Sequence, residues 1–388
     1  MATSSNEALE RLIQFVEKES YKGYDPYDIL TSPLKIKKLG LLPSAIAIQI
    51  QKRNPINLRP LAGVKKGINP KGIGLFLQAY SLLYQYTGDK AYKPKMDYLF
   101  KWLLDNPTPG YSGLCWGYNF DWASSKKYLD AYSPTIVVSG FIAKALCKYH
   151  EATQDDRAVE ALQSISRFVI NDLEATEDET GVCYSYSTAE RDLCFNASLL
   201  GGELFASLFK LTGDTSYKEK AMNAARFALS RQKEDGRWTY SIDVNTGKER
   251  EQIDFHQGYV IDSLYQIGRN TEADFSEAIN KGMRYYRTRQ FKDNGQCLWR
   301  VPSEWPTDIH NQAQGIISFS RLRHINPDYL PFANTIADWT ISHMRNHNGS
   351  FQYKKYPLYS IKTPMIRWSQ AWMMLALSEL FVANEGAS

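Results

Sequence analysis

The stretch GRWTYSIDVNTGKEREQIDFHQG (residues 236–258) joins the end of one predicted helix to the start of the next. It opens on a glycine-and-aromatic turn, Gly236, Trp238 and Tyr240, and closes on Asp254 and His256 just before an apolar helical run. The layout recurs as GLCWGY from Gly113, GVCYSY from Gly181, GQCLWR from Gly295 and GSFQY from Gly349, at intervals of 68, 55, 59 and 54 residues. Each glycine opens a long polar and aromatic loop that leads into a helix. Such a pattern predicts a repeat whose loops carry the chemistry.

Outward from these loops the chain reads as paired helices. Residues 72–86 and 92–104 are joined by TGDKAY, and 196–211 and 217–231 by TGDTSY. In that turn glycine ends one helix in a left-handed conformation and aspartate caps the next. Residues 135–151 pair with 157–173, 257–267 with 275–289, and 312–324 with 330–346; a last helix covers 368–380. The first helix of each pair, as in TIVVSGFIAKAL, is apolar nearly all round and is expected to be buried. The second, as in YKEKAMNAARFAL, has one apolar stripe and is expected to lie outside. Six inner helices start near 72, 135, 196, 257, 312 and 368; five outer ones lie between them, and an N-terminal helix over 6–20, with Asn6 as cap, supplies the sixth. The expected fold is therefore all-α, an (α/α)6 toroid forming a single domain over residues 1–388. Closure buries every inner helix, which an open array would not do. The long loops then converge over the N-termini of the inner helices, where free N–H groups and partial positive charge favour anionic or hydroxyl-rich ligands.

Composition narrows the partner. A net charge of +4 with no Lys/Arg block argues against nucleic acid. Aromatic residues make up 13% of the chain, with 25 Tyr, 17 Phe and 9 Trp, and many fall in the loops, where a core does not require them. Aromatic faces stack on pyranose rings while phenol and indole groups bond hydroxyls, so a sugar cleft is expected. The five cysteines lack zinc-ligand or redox spacing and read as free thiols. The N-terminus lacks a signal-peptide layout and no run reaches the length of a membrane span, so cytoplasm is the expected location.

In CWGYNFDW (115–122), DFHQGYVIDSL (254–264), TDIHNQAQGI (307–316) and GYDPYD (23–28) with NPKGIGLFL, the chain resembles a group of proteins encoded with bacterial capsular and exopolysaccharide genes, often mislabelled as aminolevulinate dehydratases. The resemblance covers most of the chain and implies a place in surface-polysaccharide biosynthesis. More distantly the toroid is similar to glucuronyl C5-epimerases, N-acylglucosamine 2-epimerases, unsaturated-uronyl hydrolases and polysaccharide lyases, which implies chemistry on sugars without choosing a reaction.

His256 and His310 are the expected acid and base. Both fall at the tip of an inner helix, two residues after Asp254 and Asp308, which could orient them. An imidazole can take or give a proton near neutrality, and two on opposite sides of a ring suit an epimerase; capping of the helix is the alternative for each. Tyr240, with Tyr118, Tyr184 and Tyr186 in equivalent places, could act as a phenol lowered in pKa by nearby cations, or stack. Trp116, Trp122, Trp238, Trp299, Trp305 and Trp368 are expected as sugar platforms. Arg300 and Arg367 are expected to hold a carboxylate, which favours an acidic sugar. Asp121, Asp254, Glu304 and Asp308 keep open a glycosidase with paired carboxylates. No His/Asp/Glu group has a recognised ligand spacing, so neither a metal nor another cofactor is expected. The reading is proton transfer on an acidic sugar, as in a uronyl epimerase or lyase; a hydrolase and a non-catalytic glycan-binding scaffold are the alternatives.

Overall fold

The computed structural model of the chain describes residues 4–124 and 128–386. The expected domain over 1–388 also includes residues 1–3, 125–127 and 387–388, which lie outside the described ones. The α-helices are α1 (Ser5–Lys18), α2 (Leu41–Arg53), α3 (Pro70–Thr87), α4 (Lys93–Asp105), α5 (Ile136–Thr153), α6 (Asp156–Asn171), α7 (Phe195–Thr212), α8 (Thr215–Leu229), α9 (His256–Thr271), α10 (Ser276–Gln290), α11 (Ile309–Arg321), α12 (Tyr329–Met344) and α13 (Trp372–Glu385).

The apolar patterning decides the layers. Helix α3 buries 14 of its 18 residues, whereas α4 buries only Met96, Leu99, Phe100 and Leu103, one stripe at helical spacing. Helices α3, α5, α7, α9, α11 and α13 each pack on the next, and α13 packs back on α3, closing the ring. Their partners α4, α6, α8, α10, α12 and α1 lie outside, with α1 against α13 and α12. This is an (α/α)6 toroid, with the hydrophobic core between its two rings. Helix α1 is capped two residues before the expected position: Ser4, not Asn6, accepts the Glu7 N–H. Trp368 falls in a π-helical turn, Ile366–Ala371, ahead of α13.

One end of the ring carries the short turns. Gly88 and Gly213 take φ of 68° and 74°, and the next residues, Asp89 and Asp214, cap the following helix through their carboxylates. At the other end the five loop glycines make close approaches. A methyl group on Gly113, Gly181, Gly236, Gly295 or Gly349 would strike the backbone of Ser164, Asn223, Lys281, Thr335 or Arg11. Those residues belong to α6, α8, α10, α12 and α1, so every loop is pressed onto the outer helix of the next repeat. Each loop is also tied to its own inner helix. The N–H of Trp116, Tyr184, Trp238, Cys297 and Phe351 donates to the side chain of Ser139, Ser198, Gln257, Gln312 and Gln370 respectively.

Neighbouring loops pair as small antiparallel sheets that the glycine-aromatic pattern does not announce. Leu193–Cys194 pairs with Ser241–Ile242, which pairs with Glu249–Arg250. Thr307–Asp308 pairs with Lys354–Lys355, which pairs with Ser360–Ile361. Helix α2 stands apart from both rings. It packs on the short turns Asp28–Thr31 and Ile36–Leu39 and on Trp122–Ala123, over a small core of Ile29, Leu30, Ile48 and Val64.

Candidate active site

The long loops and the N-termini of α3, α5, α7, α9 and α11 enclose a cleft of about 420 Å³. Of the residues singled out in the sequence, Tyr118, Trp122, Tyr186, Tyr240, Asp254, His256, Arg300, Asp308, His310, Arg367 and Trp368 line it. Both histidines therefore share one hollow.

His256 begins α9. Its Nδ1 lies 2.5 Å from Asp254 Oδ1, leaving Nε2 as the ring nitrogen free of that carboxylate. Gln252 donates to the other Asp254 oxygen at 2.8 Å, and Arg300 Nε lies 3.6 Å from it. Burial alone would raise this carboxyl; the His256 ring and Arg300 outweigh burial and hold it below the usual range. A carboxylate fixed this way sets the tautomer and orientation of the ring beside it.

His310, in the first turn of α11, is fully buried. Its Nε2 lies 2.5 Å from the Tyr259 hydroxyl, while Nδ1 has no hydrogen-bond partner among the described residues. The ring stacks on Phe255 at 4.0 Å and leans on Trp372 at 4.5 Å. Burial, reinforced by Lys71 and Arg367, pushes its pKa well below the ordinary histidine value, so the ring is neutral at neutral pH. His256 packs on Phe255 as well, at 4.1 Å, so one aromatic ring separates the two imidazoles. The expected symmetry of the Asp–His pairs does not hold. Asp308 caps α11, accepting from the His310 backbone N–H at 3.0 Å and from Trp368 Nε1 at 2.8 Å, and does not touch the ring.

Four expected platforms lie elsewhere. Trp116 and Trp238 are buried between inner and outer helices, with their indole N–H groups on the carbonyls of Leu103 and Ala228. Tyr184 packs on Phe205 in the equivalent place of its repeat. The reason is common to all three: the backbone N–H tether to the inner helix turns this side chain into the wall, not the cleft. Trp305 is half-buried beside Lys292, outside the cleft. The carboxylates of Asp121 and Glu304 are also outside it, paired with Lys37 and Lys292.

Two electrostatic expectations change. Burial raises the phenols of Tyr118, Tyr186 and Tyr240, outweighing the nearby Arg367 and Arg250, so these groups are hydrogen-bond donors and not phenolate bases. The guanidinium of Arg367 is spent on Asp25, with two bonds of 2.7 and 2.9 Å in the buried floor. Arg300, with its side chain 42% exposed, remains open to an anion. Lys354 beside Asp308 and Lys52 on the Tyr27 hydroxyl add cations to the lining.

Sequence reasoning missed Lys71 and Tyr259. Lys71 is the single charged residue of α3 and is 3% exposed. Its Nζ sits 4.0 Å over the Phe141 ring, with Trp372 and Tyr259 beyond. Burial, helped by Arg367, drives its pKa far down, which favours the free amine, a third proton acceptor in the cleft. One lysine in the first turn of a helix otherwise apolar all round was the available signal. Among the described residues no group of three or more His, Cys, Asp or Glu could hold a metal ion, and no helix is long and apolar enough to cross a membrane.

No protein-family model matches the sequence, and no curated protein matches it. Solved structures are similar in fold. Cellobiose 2-epimerase from Bacillus thermoamylovorans B4167 superposes with a TM-score of 0.66 at 13% identity, over 83% of this chain and 90% of that one. A GH76 α-mannanase from Bacteroides thetaiotaomicron gives 0.62 at 14%, over 82% and 87%. An unsaturated glucuronyl hydrolase specific for heparin gives 0.60 at 13%, over 84% and 88%. At these identities the likeness establishes the toroid and leaves the chemistry to the site.

Proposed function

We propose that this chain is a sugar epimerase that removes a proton from a carbon next to a carbonyl or carboxylate and returns one on the opposite face. The observation that carries the reading is one cleft lined by His256, backed by Asp254 with Nε2 free of that carboxylate, and by Tyr259, whose hydroxyl lies 2.5 Å from the neutral, buried His310. In the forward direction His256 Nε2 takes the proton as the C–H bond breaks, and the electrons of that bond move into the neighbouring C=O as an enolate. The Tyr259 hydroxyl, bonded to His310 Nε2, delivers a proton to the same carbon, and the phenolate regains one from the protonated His256 after the product leaves, so atoms and charge balance over the cycle. Phenol donors from Tyr118, Tyr186 and Tyr240 would bond sugar hydroxyls, with Trp122 and Trp368 as stacking faces. Arg300, with Lys354 and Lys52, favours an anionic sugar such as a uronate and would stabilise the enolate charge. The epimerase among proteins of similar fold adds support; the mannanase and the glucuronyl hydrolase in that set do not.

A glycosidase is less well supported, because Asp254 is held ionised by His256 and Arg300 and so is a poor general acid. A role in surface-polysaccharide synthesis, implied by the resemblance of the sequence motifs, is kept as part of the proposal. The test is incubation of the protein with uronates and reducing sugars in deuterium oxide, followed by proton NMR. Deuterium entering at one carbon, together with the appearance of its epimer, is expected. Release of a reducing end without exchange would select the hydrolase, and no exchange with any sugar class would end the proton-transfer reading.

A further inference from the structure

Between Asp28 and Asp89 the chain has no acidic residue and nine basic ones, in a protein whose overall charge is only +4. The same segment carries an exposed aliphatic surface. Of the eleven Leu and Ile side chains exposed among the described residues, eight fall between Leu34 and Leu61. Scattered exposed apolar side chains are ordinary; a concentration in one segment is not.

Helix α2 carries apolar side chains on its outer face as well as its inner one. Its inner face buries Ser44, Ile48 and Gln51, while Leu42, Ile46 and Ile50, spaced four apart, form an outer stripe exposed by about half or more. Leu34 and Leu39 before it, at 68% and 71% exposed, and Leu61 after it, at 86%, extend the surface. Lys35, Lys38 and Arg53 are interleaved with these side chains and exposed. Among the described residues Lys35, Lys38 and Arg53 make no ion pair with a carboxylate, and Arg53 hydrogen-bonds its neighbour Gln49.

We propose that α2 and its flanking turns form a peripheral docking surface for an anionic lipid bilayer. An in-plane helix with an aliphatic outer stripe and cations beside it fits the headgroup boundary, where the stripe sinks into the acyl region and the lysines meet anionic headgroups. The charge argues against a second copy as the occupant, since a two-fold contact would bring the same cations face to face with no carboxylate in the segment to offset them. The surface adjoins the cleft: Lys52, on the same helix, lines it and bonds Tyr27 at 2.8 Å. Docking does not depend on the reaction proposed above, and its readout is not turnover.

Flotation of the full chain with vesicles tests it, comparing pure phosphatidylcholine with an equal mixture of phosphatidylcholine and phosphatidylglycerol. The wild type is expected to float with the mixed vesicles only, and less as salt rises. Ile46→Asn/Ile50→Asn should abolish flotation. Lys35→Gln/Lys38→Gln should weaken partitioning by about 25-fold, two cations near an anionic surface. All four positions are exposed, so the melting temperature of each variant should match the wild type. Absence of flotation, or variants that float as well as wild type, would overturn the proposal. A concentration-dependent dimer without flotation would overturn it too and assign the surface to a second copy.

Discussion

Lys71→Met keeps the length and most of the volume of the side chain but removes the amine held over Phe141. In the unfolded chain that amine titrates near 10.5, whereas burial in the floor of the cleft drives it far lower. A group forced away from its unfolded titration costs stability at pH 7, where the unfolded amine is charged and burial opposes that charge in the fold. Water in the cleft and the aromatic rings recover part of that, and a gain of about 1–4 kcal/mol is expected for the methionine variant, as for other buried charges replaced by apolar groups. The sign with pH follows. The folded pKa is depressed, so the wild type gains stability as pH rises toward 10.5, and the advantage of the variant shrinks by up to about 1.4 kcal/mol per unit. Urea unfolding at pH 7 and pH 9, followed by circular dichroism, measures both quantities. Turnover of the same variant should fall, since a buried, destabilising amine is retained for use. A variant no more stable than wild type at pH 7, or an advantage that does not change at pH 9, would refute the reasoning.

The other predictions rest on separate contacts. Arg367→Ala leaves the Asp25 carboxylate buried without its bidentate partner, and should lower stability by about 3–5 kcal/mol in urea unfolding. Gly236→Ala places a methyl group against the Lys281 carbonyl at a φ of 95° and should cost about 1–3 kcal/mol by the same measurement. His310 has a depressed pKa in the fold, so its contribution is complete above about pH 6.5 and lost on acidification; His310→Gln should flatten the fall in melting temperature between pH 6.5 and 5.

The ring was legible because its determinants are local and repeated. The TGD turns, the helices apolar all round and the five loop glycines each have a sequence signature, and the close approach of those glycines to α6, α8, α10, α12 and α1 is why they recur. The site was legible in part. Asp254 and His256 are neighbours in sequence, so their contact could be read directly. The analogy with Asp308 and His310 failed because a cap carboxylate reaches the backbone or the ring depending on the turn, and Trp368, sixty residues on, competes for Asp308. Trp116 and Trp238 resemble platforms in composition, but a hydrogen bond from each backbone N–H to the inner helix decides which way the side chain points. The engagement of Arg367 by Asp25 joins residues 342 positions apart, beyond any local pattern.

The central claim is that His256 and the Tyr259–His310 pair serve opposite faces of one bound sugar. It is tested most directly by following deuterium exchange and epimer formation together in His256→Gln and His310→Gln. Acid–base chemistry of this kind predicts that each variant loses epimerisation by about 100-fold or more, while His310→Gln still exchanges the proton that His256 removes. Epimerisation within a few-fold of wild type in either variant would contradict the account.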